Sequence, residues 1–214
     1  MAEVVAHSPV SPASPVVVDG WQVSGLRSSA SLTLTDLTPL AKIAVRAQPG
    51  GAMARLLGVP FGRAARDGEG ALVIGSGPGE WLALGPVGQA GALRGRLEAA
   101  AGPGAGHGEL VTVLDLTHAR ALLRLTGARA AATLAKVCGI DLADARVPDG
   151  AAFRSSVARL VTDVVRDDVP GGELHARSYL LHCERSCGQY LFDALLDAGA
   201  EYGIAIDGFR APGI

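Results

Sequence analysis

The sequence repeats its own order of structural elements, and this repetition restricts the fold more than any other feature. The segment around Asp36, LTDLTPLAKIAV, matches the segment around Asp115, VLDLTHARALLRL, at an offset of 79 residues. The helices that close each half match as well, with Leu93 corresponding to Leu191 at an offset of 98. We therefore predict two duplicated α+β units whose sheets meet around a pseudo-twofold axis. The second unit carries about 20 extra residues, which we place in its middle strands.

Hydrophobic periodicity gives each unit the order strand-strand-helix-strand-strand-helix. Leu32 and Leu34 alternate with threonines in SLTLTDL, a pattern typical of a half-buried strand. The first unit has predicted strands in residues 31–37, in 41–47 and twice in 70–85, with helices over 49–58 and 90–100. The second has predicted strands in LVTVLDLT, RALLRLTG, VARLVTDVVRD and GGELHARSYLLHCE, with helices over 128–138 and 186–203.

The closing helix carries the clearest end signals. Ser186 and Gln189 have the spacing of a capping box, in which each side chain binds a free amide of the first turn. Gly203 is placed to end the helix. Between them an apolar stripe predicts packing against a sheet. The stripe consists of Leu191, Ala194, Leu195, Ala198 and Tyr202.

The predicted domain organisation follows from the duplication. Residues 1–20 are rich in Pro and Ser and have no period, which predicts a flexible N-terminal arm. Residues 21–214 then form a single pseudo-twofold domain, with repeat 1 over about 31–100 and repeat 2 over about 110–206. A loop rich in Gly and Pro, residues 100–109, joins the repeats.

The composition argues against several functional classes. Apolar residues make up 49% of the 214 residues and the formal net charge is −2, which is typical of a globular protein. The basic residues are scattered and are not interleaved with aromatics, so nothing supports nucleic-acid binding. No segment resembles a secretory signal or reaches the roughly 18 apolar residues of a membrane span. The three cysteines, an odd number, fit a reducing cytoplasm better than a disulfide framework.

The segment LDLTHARALLRLTGARAAATLAKVCGIDL, which ends at Leu142, resembles a pattern of the glycine-cleavage aminomethyltransferases and their folate-binding relatives. Within that superfamily the chain is most similar to the gamma-subunit family of heterotetrameric sarcosine oxidase. The total length, the segment GPGEWLALGP and the closing segment CERSCGQYLFDALLDAGAEYG carry this closer resemblance. The resemblance covers roughly residues 31–206.

The resemblance implies an accessory subunit of an oxidoreductase. The complex would demethylate sarcosine or a related secondary amine oxidatively, and would transfer the one-carbon unit to tetrahydrofolate or release formaldehyde. Flavin and NAD would belong to partner subunits, so this chain alone is expected to bind no cofactor, with tetrahydrofolate as its one candidate ligand. Two alternatives stay open: a stand-alone enzyme that uses the same pocket on another small molecule, and a folate-binding module without chemistry.

Asp141 is the first candidate site residue. The resemblance places it where the aminomethyltransferases carry an essential Asp that contacts folate. However, Ile140 replaces the Asn of their pattern, and Gly77 stands where they carry a second folate-contacting Glu. An Asp that follows Gly139 also serves routinely as a turn carboxylate. We therefore expect Asp141 to be mainly structural.

Other polar residues are candidates for ligand contacts. His118, in the turn DLTHAR, has an imidazole suited to acid or base chemistry near neutral pH, although such turns use His equally for backbone hydrogen bonds. Arg120 and Arg185 are placed to hold a folate tail or the carboxylates of a partner, as are Arg124 and Arg177. Solvated strand faces would explain most of these arginines. The sequence itself fixes no converging acid and base pair.

A metal site is not expected. His182, Cys183 and Cys187 lie close together in the sequence, but no second Cys/His pair follows them, and His107 and His175 are isolated. Cys187, at the predicted start of a helix, is instead a candidate for a reactive thiol.

Overall fold

The computed structural model describes residues 4–102, 109–170 and 176–213. It begins with a three-stranded sheet of β1 (Ala6–His7), β2 (Pro15–Val18) and β3 (Trp21–Ser24), in the order β1-β3-β2. The interpretation of residues 1–20 as a flexible arm is therefore wrong for the described part of that segment. Asp19 and Gly20, with φ angles of 45° and 76°, form the two-residue turn that sets β2 against β3. Val10, between β1 and β2, is buried in the main body.

Each half of the chain then supplies five strands and two helices to the described structure. The first half contains β4 (Leu32–Asp36), β5 (Ala41–Arg46), α1 (Ala52–Leu57), β6 (Ala64–Arg66), β7 (Leu72–Gly77), β8 (Glu80–Gly85) and α2 (Ala90–Ala100). The second half contains β9 (Thr112–Asp115), β10 (Arg120–Gly127), α3 (Ala130–Ala135), β11 (Ala152–Val157), β12 (Leu160–Arg166), β13 (Ser178–Glu184) and α4 (Gly188–Gly199). A short strand, β14 (Ala205–Ile206), follows α4.

The predicted α+β duplication is confirmed by the strand order. One sheet runs β6-β7-β8-β5-β9 and the other runs β11-β12-β13-β10-β4-β14. The first strand of each half leaves its own sheet and pairs with the second strand of the other half, so that β9 lies beside β5 and β4 beside β10. Apart from β14, the two sheets therefore have the same order of corresponding strands, as a pseudo-twofold relation requires.

Two details of the predicted duplication need correction. Each half has three strands between its helices rather than two, because β6 and β11 were not recognised as separate strands. The hairpin between β11 and β12 turns at Ala158 and Arg159, which adopt positive φ angles of 48° and 68° although neither is a usual turn residue. Part of the extra length of the second half lies in the connection 136–151, outside the strands, and the rest falls in sequence between β12 and β13.

The core has four layers, with helices on the outer faces of two facing sheets. Alternation along β10 shows how the layers form, because Leu123 and Leu125 pack toward the helices whereas Leu122 packs between the sheets. Leu93 and Leu97 of α2 cover the outer face of the first sheet. None of the helices in the described residues is long and apolar enough to cross a bilayer.

The closing helix follows its predicted stripe but not its predicted cap. Leu191 and Leu195 are fully buried, as expected. Helix α4 begins at Gly188, after a 3-10 turn over Arg185–Cys187, and no side chain caps it. Gln189 instead accepts a hydrogen bond from the Ser11 amide at 2.7 Å. The predicted capping box is thus replaced by a contact with the N-terminal segment.

Candidate functional site

The facing sides of the two sheets enclose a cavity of about 160 Å³. A cavity of comparable volume accommodates a benzene ring, so a small organic molecule fits this space. The walls are apolar and come from both sheets, whereas the least exposed charged side chains of the lining come from the second sheet. The apolar lining includes Ile74, Leu82, Leu84, Leu122, Val165 and Leu180, and the polar lining consists of Arg46, Ser76, Glu80, Arg120, Arg154, Asp163 and His182.

Asp163 lies at the centre of the polar end of the cavity. The strand register places it, on β12, opposite Arg154 of β11 and His182 of β13. Arg154 donates from Nε to Asp163 Oδ1 at 2.6 Å and from Nη2 to Oδ2 at 3.3 Å. Arg120, on β10, reaches Asp163 Oδ2 with its Nη2 at 3.3 Å. Four neighbouring strands therefore contribute one side chain each to this polar cluster.

The cluster is electrostatically satisfied. Burial alone would raise the pKa of Asp163, but hydrogen bonds from His182 and Arg154 outweigh burial and lower the pKa below its ordinary value. Asp163 is therefore ionised at neutral pH and binds two guanidinium groups. Arg120 also pairs with the exposed Glu184 beside the cluster.

His182 is buried between Asp163 and Arg120. Its Nδ1 lies 3.4 Å from Asp163 Oδ2, and its Nε2 accepts a hydrogen bond from Arg120 Nε at 3.4 Å. Burial lowers the pKa of His182, and the contact with Asp163 offsets this effect only in part, so the ring is neutral at pH 7. With Nδ1–H assigned toward Asp163, the ring directs its lone pair at a guanidinium rather than at the cavity. His182 is thus arranged to orient Arg120, not to abstract a proton from a ligand.

The mouth of the cavity is polar and partly open. Arg46 Nη2 lies 3.2 Å from Glu80 Oε1, with 71% and 37% of the two side chains exposed. The Ser76 hydroxyl donates to the Glu80 carbonyl at 3.3 Å. Together with the apolar walls, this arrangement suits a small ligand with an apolar body and a polar group that arginine recognises.

The candidate site residues predicted from the sequence do not come together in one site of the structure. Arg120 lines the cavity, as described above. Asp141 lies exposed in the connection after α3, where its Oδ1 accepts a hydrogen bond from the Ala143 amide at 3.0 Å. His118 stacks on Trp21 of the N-terminal sheet, with ring centroids 4.7 Å apart and an interplanar angle of 9°. Neither Asp141 nor His118 belongs to the cavity lining.

The remaining predicted arginines bind elsewhere. Arg185 donates to the His7 carbonyl of β1 and holds the N-terminal segment. Arg124 pairs with Asp167 at 2.7 Å. Arg177 pairs with Asp144. These three side chains are therefore structural ion-pair or hydrogen-bond donors rather than cavity residues.

Asp163 and Arg154 were not singled out from the sequence, and His182 was considered only as a zinc ligand. Both Asp163, in LVTDVV, and His182, in YLLHCE, stand in strands that are otherwise mostly apolar. A polar residue at a buried strand position is unusual unless it has a partner. This signal was present in the sequence, although the identity of the partners depends on the strand register.

The cysteines do not form a metal centre with their neighbours. Within residues 4–102, 109–170 and 176–213, no group of three His, Cys, Asp or Glu side chains is arranged to hold a metal. Cys138 and Cys183 are buried, and burial raises the pKa of Cys183 to about 12. Cys187 is half-buried, and its reactivity stays a prediction. His107 and His175 lie outside the described residues.

A second ionic group, Lys42, is fully buried on β5. Its Nζ donates to the carbonyls of Thr38 at 2.7 Å and Leu40 at 2.8 Å. Burial lowers the pKa of Lys42 to about 7, although the nearby Asp36 and Asp115 favour the charged form. Asp36 is half-buried, and desolvation raises its pKa above the ordinary value. Lys42 thus joins the turn before β5 to the sheet.

Lys42 should make the stability of the fold rise with pH above neutrality. The folded-state pKa of about 7 lies below the ordinary value of 10.5, so between these values the unfolded chain binds the extra proton. The free energy of unfolding should then increase by about 1 kcal/mol per pH unit from pH 7.5 to 9. Urea titrations of the wild type and Lys42→Met measure this slope, and the variant should lack it. Equal slopes would show that Lys42 does not titrate in this range.

Comparisons with known proteins agree with this architecture. No protein-family model matches the chain. The sarcosine oxidase subunit gamma of Arthrobacter sp. is 35% identical over 123 residues, which are 54% of this chain and 57% of that relative. The alignment thus spans just over half the length of the curated relative. Among solved structures, heterotetrameric sarcosine oxidase from Corynebacterium sp. U-96, in complex with pyrrole 2-carboxylate, matches 84% of this chain and 89% of its own, with a TM-score of 0.67 and 28% identity.

The glycine cleavage system aminomethyltransferase T of Bartonella henselae matches 91% of this chain and 55% of its own. The TM-score is 0.68 at 18% identity, which shows a common fold. The two facing sheets with exchanged first strands are therefore an aminomethyltransferase-type fold. Within that class, the chain is similar to a sarcosine oxidase gamma subunit over about half of its length and to a chain of heterotetrameric sarcosine oxidase over most of its length.

Proposed function

We propose that the chain is the accessory, gamma-type subunit of a heterotetrameric complex that oxidatively demethylates sarcosine or a related secondary amine. The match with a chain of heterotetrameric sarcosine oxidase carries this proposal, because it covers 84% of one chain and 89% of the other. A match over most of both chains favours an equivalent place in an assembly. The match with aminomethyltransferase T covers only 55% of that enzyme, so it supports an equivalent fold and no more.

In this proposal the partner subunits hold the flavin and NAD, and the one-carbon unit goes to tetrahydrofolate or leaves as formaldehyde. The cavity of this chain supports an accessory role, since His182 faces a guanidinium and Asp163 binds two arginines. A cytoplasmic location belongs to the same proposal and is compatible with three unpaired cysteines.

Purification of the tagged chain from its own cells tests the assembly. The expected result is a stoichiometric complex with three other polypeptides that shows flavin absorbance and oxidises sarcosine. The matched control is the chain expressed alone, which should show no flavin absorbance and no activity with sarcosine. A tagged chain that purifies without companions, or whose companions lack amine oxidation, would contradict the proposal.

Asp141 should contribute to stability rather than to folate binding. Asp141→Ala removes the hydrogen bond to the Ala143 amide and should lower the free energy of unfolding by about 1 kcal/mol. Asp141→Asn keeps an acceptor oxygen and should have little effect. Calorimetry with 5-formyltetrahydrofolate should detect no binding to the wild type or to either variant. Tight binding by the wild type that disappears in Asp141→Asn would instead favour the alternative of a folate-binding module.

A further inference from the structure

A rigid loop displays apolar side chains next to the cavity. The loop joins α1 to β6, and the patch consists of Arg55, Leu56, Pro60, Phe61 and Arg63, all of which are exposed. Phe61 is 63% exposed and Leu56 is 60% exposed. Phe61 lines a small adjoining pocket together with Gly75, Ser76 and Asp163, and the last two of these also line the cavity. The patch therefore flanks the cavity on the surface of the molecule.

The loop is held in place by buried contacts. The Trp81 indole donates to the Val59 carbonyl at 2.7 Å, and the Gly62 amide donates to the Gly75 carbonyl at 3.0 Å. A Cβ atom at Gly75 would overlap the Pro60 carbonyl, so only glycine permits this close approach. Gly58 and Gly62 adopt positive φ angles of 65° and 81°. The fold thus fixes the backbone around an exposed phenylalanine whose side chain does not pack into the core.

The chain segment that carries Phe61 contains charged residues of one sign only. The 20 residues 47–66 include three arginines and no Asp or Glu. Among the described residues, neither Arg55 nor Arg63 forms an ion pair, and Arg55 donates only to the Gly50 carbonyl at 2.6 Å. Glu109, at the opposite end of α1, is occupied by the amides of residues 48, 52 and 53. A preorganised aromatic residue flanked by unpaired arginines has the composition of an interface centre.

We propose that this patch docks a different protein chain, whose surface offers an apolar pocket for Phe61 and an acidic rim for Arg55 and Arg63. A second copy of this chain fits poorly, because a twofold contact through the patch would bring its arginines together. A membrane fits poorly as well, since anionic lipid surfaces are recognised by clusters of about 4–8 basic residues. The proposal rests on the proposed function, and the partner is a subunit of the same complex.

Photo-crosslinking within the assembled complex tests the identity of the partner. Benzoylphenylalanine replaces Phe61 in the tagged chain, and in a matched sample it replaces Leu114. Leu114 is 55% exposed and lies on β9, the edge strand opposite β6 in the first sheet. The Phe61 position should crosslink to a segment of another subunit that contains Asp or Glu, and the Leu114 position should not crosslink to that segment. A crosslink to this chain itself, a crosslink to lipid, or no crosslink within a complex that assembles would overturn the proposal.

Affinity measurements separate this proposal from the function on which it rests. Phe61→Ser should weaken assembly by about 30-fold or more, and Arg63→Glu should weaken it and reduce its dependence on salt. Leu114→Ser serves as the control and should assemble like the wild type, and thermal unfolding checks that all three variants fold. If Phe61→Ser and Arg63→Glu assemble normally, this proposal fails while the proposed function stands. If the wild type assembles with no other chain, both fail.

Discussion

Replacing Arg166 by methionine is expected to lower the free energy of unfolding by about 3 kcal/mol. Arg166 is 8% exposed, and its guanidinium donates to Asp168 Oδ2 at 2.8 Å, to Asp144 Oδ1 at 2.5 Å and to the Val147 carbonyl at 2.7 Å. Methionine retains much of the packing volume but leaves Asp168, with a side chain 9% exposed, without its cation. The cost arises because removal of one partner leaves the other charge buried and uncompensated.

The position of Arg166 explains why the effect should spread beyond one ion pair. Asp144 and Val147 belong to the connection 136–151, and Asp168 follows β12 directly; the second half is longer than the first at both places. Asp168 Oδ1 also accepts a hydrogen bond from the Ser178 amide at the start of β13. Without the guanidinium, both connections lose their common attachment to β12.

Urea unfolding of Arg166→Met and of a surface control measures this contribution. Arg94 pairs with Glu98 at 2.7 Å on α2, and their side chains are 50% and 44% exposed. Because exposed pairs of this kind are screened by solvent, Arg94→Met should leave the urea midpoint almost unchanged. Similar midpoints for the two variants would show that the Arg166 network contributes no more than a surface ion pair.

The duplicated fold was predictable because its signals are local. Periodicity predicts burial within single segments, as it does for Leu32 and Leu34 on β4 and for the apolar stripe of α4. The two halves also repeat the same order of strands and helices. The exchange of β4 and β9 between the sheets was not predictable in this way, because a strand with one apolar face does not specify its neighbour. Asp19 and Gly20 form a sequence pattern typical of a two-residue hairpin turn. The many Pro and Ser residues of the segment favoured the interpretation as a flexible arm instead.

The candidate site was only partly predictable for a related reason. Arg120 was expected to contact a ligand or partner, and it lines the cavity. Arg154, Asp163 and His182 join it only because the register of β11, β12, β13 and β10 aligns residues that are as many as 62 positions apart. A shift of one residue in any of these pairings would turn that side chain to the helix-covered face. The cluster is therefore a property of the assembled sheet, which no single segment of the sequence contains.

A second large effect is expected at Gly127, where Gly127→Ala should lower the free energy of unfolding by about 4 kcal/mol. Gly127 ends β10 opposite Leu32 of the exchanged strand β4, and its φ angle is 136°. An added Cβ would overlap the carbonyl of Ser31, which belongs to the backbone and cannot rotate away. The substitution thus combines an unfavourable backbone conformation with a collision at the junction of the two halves.

Gly95 provides the matched control for the same chemical change. It lies exposed within α2, and an added Cβ there would meet no atom within 4 Å. Gly95→Ala should therefore raise the free energy of unfolding by about 0.5–1 kcal/mol, because alanine favours the helix and restricts the unfolded chain. Thermal and urea unfolding of both variants measure the change in the free energy of unfolding, which should be negative for Gly127→Ala and positive for Gly95→Ala. Loss of stability at Gly95 and not at Gly127 would mean that β4 does not approach β10 closely, and the exchange of first strands between the sheets would have to be abandoned.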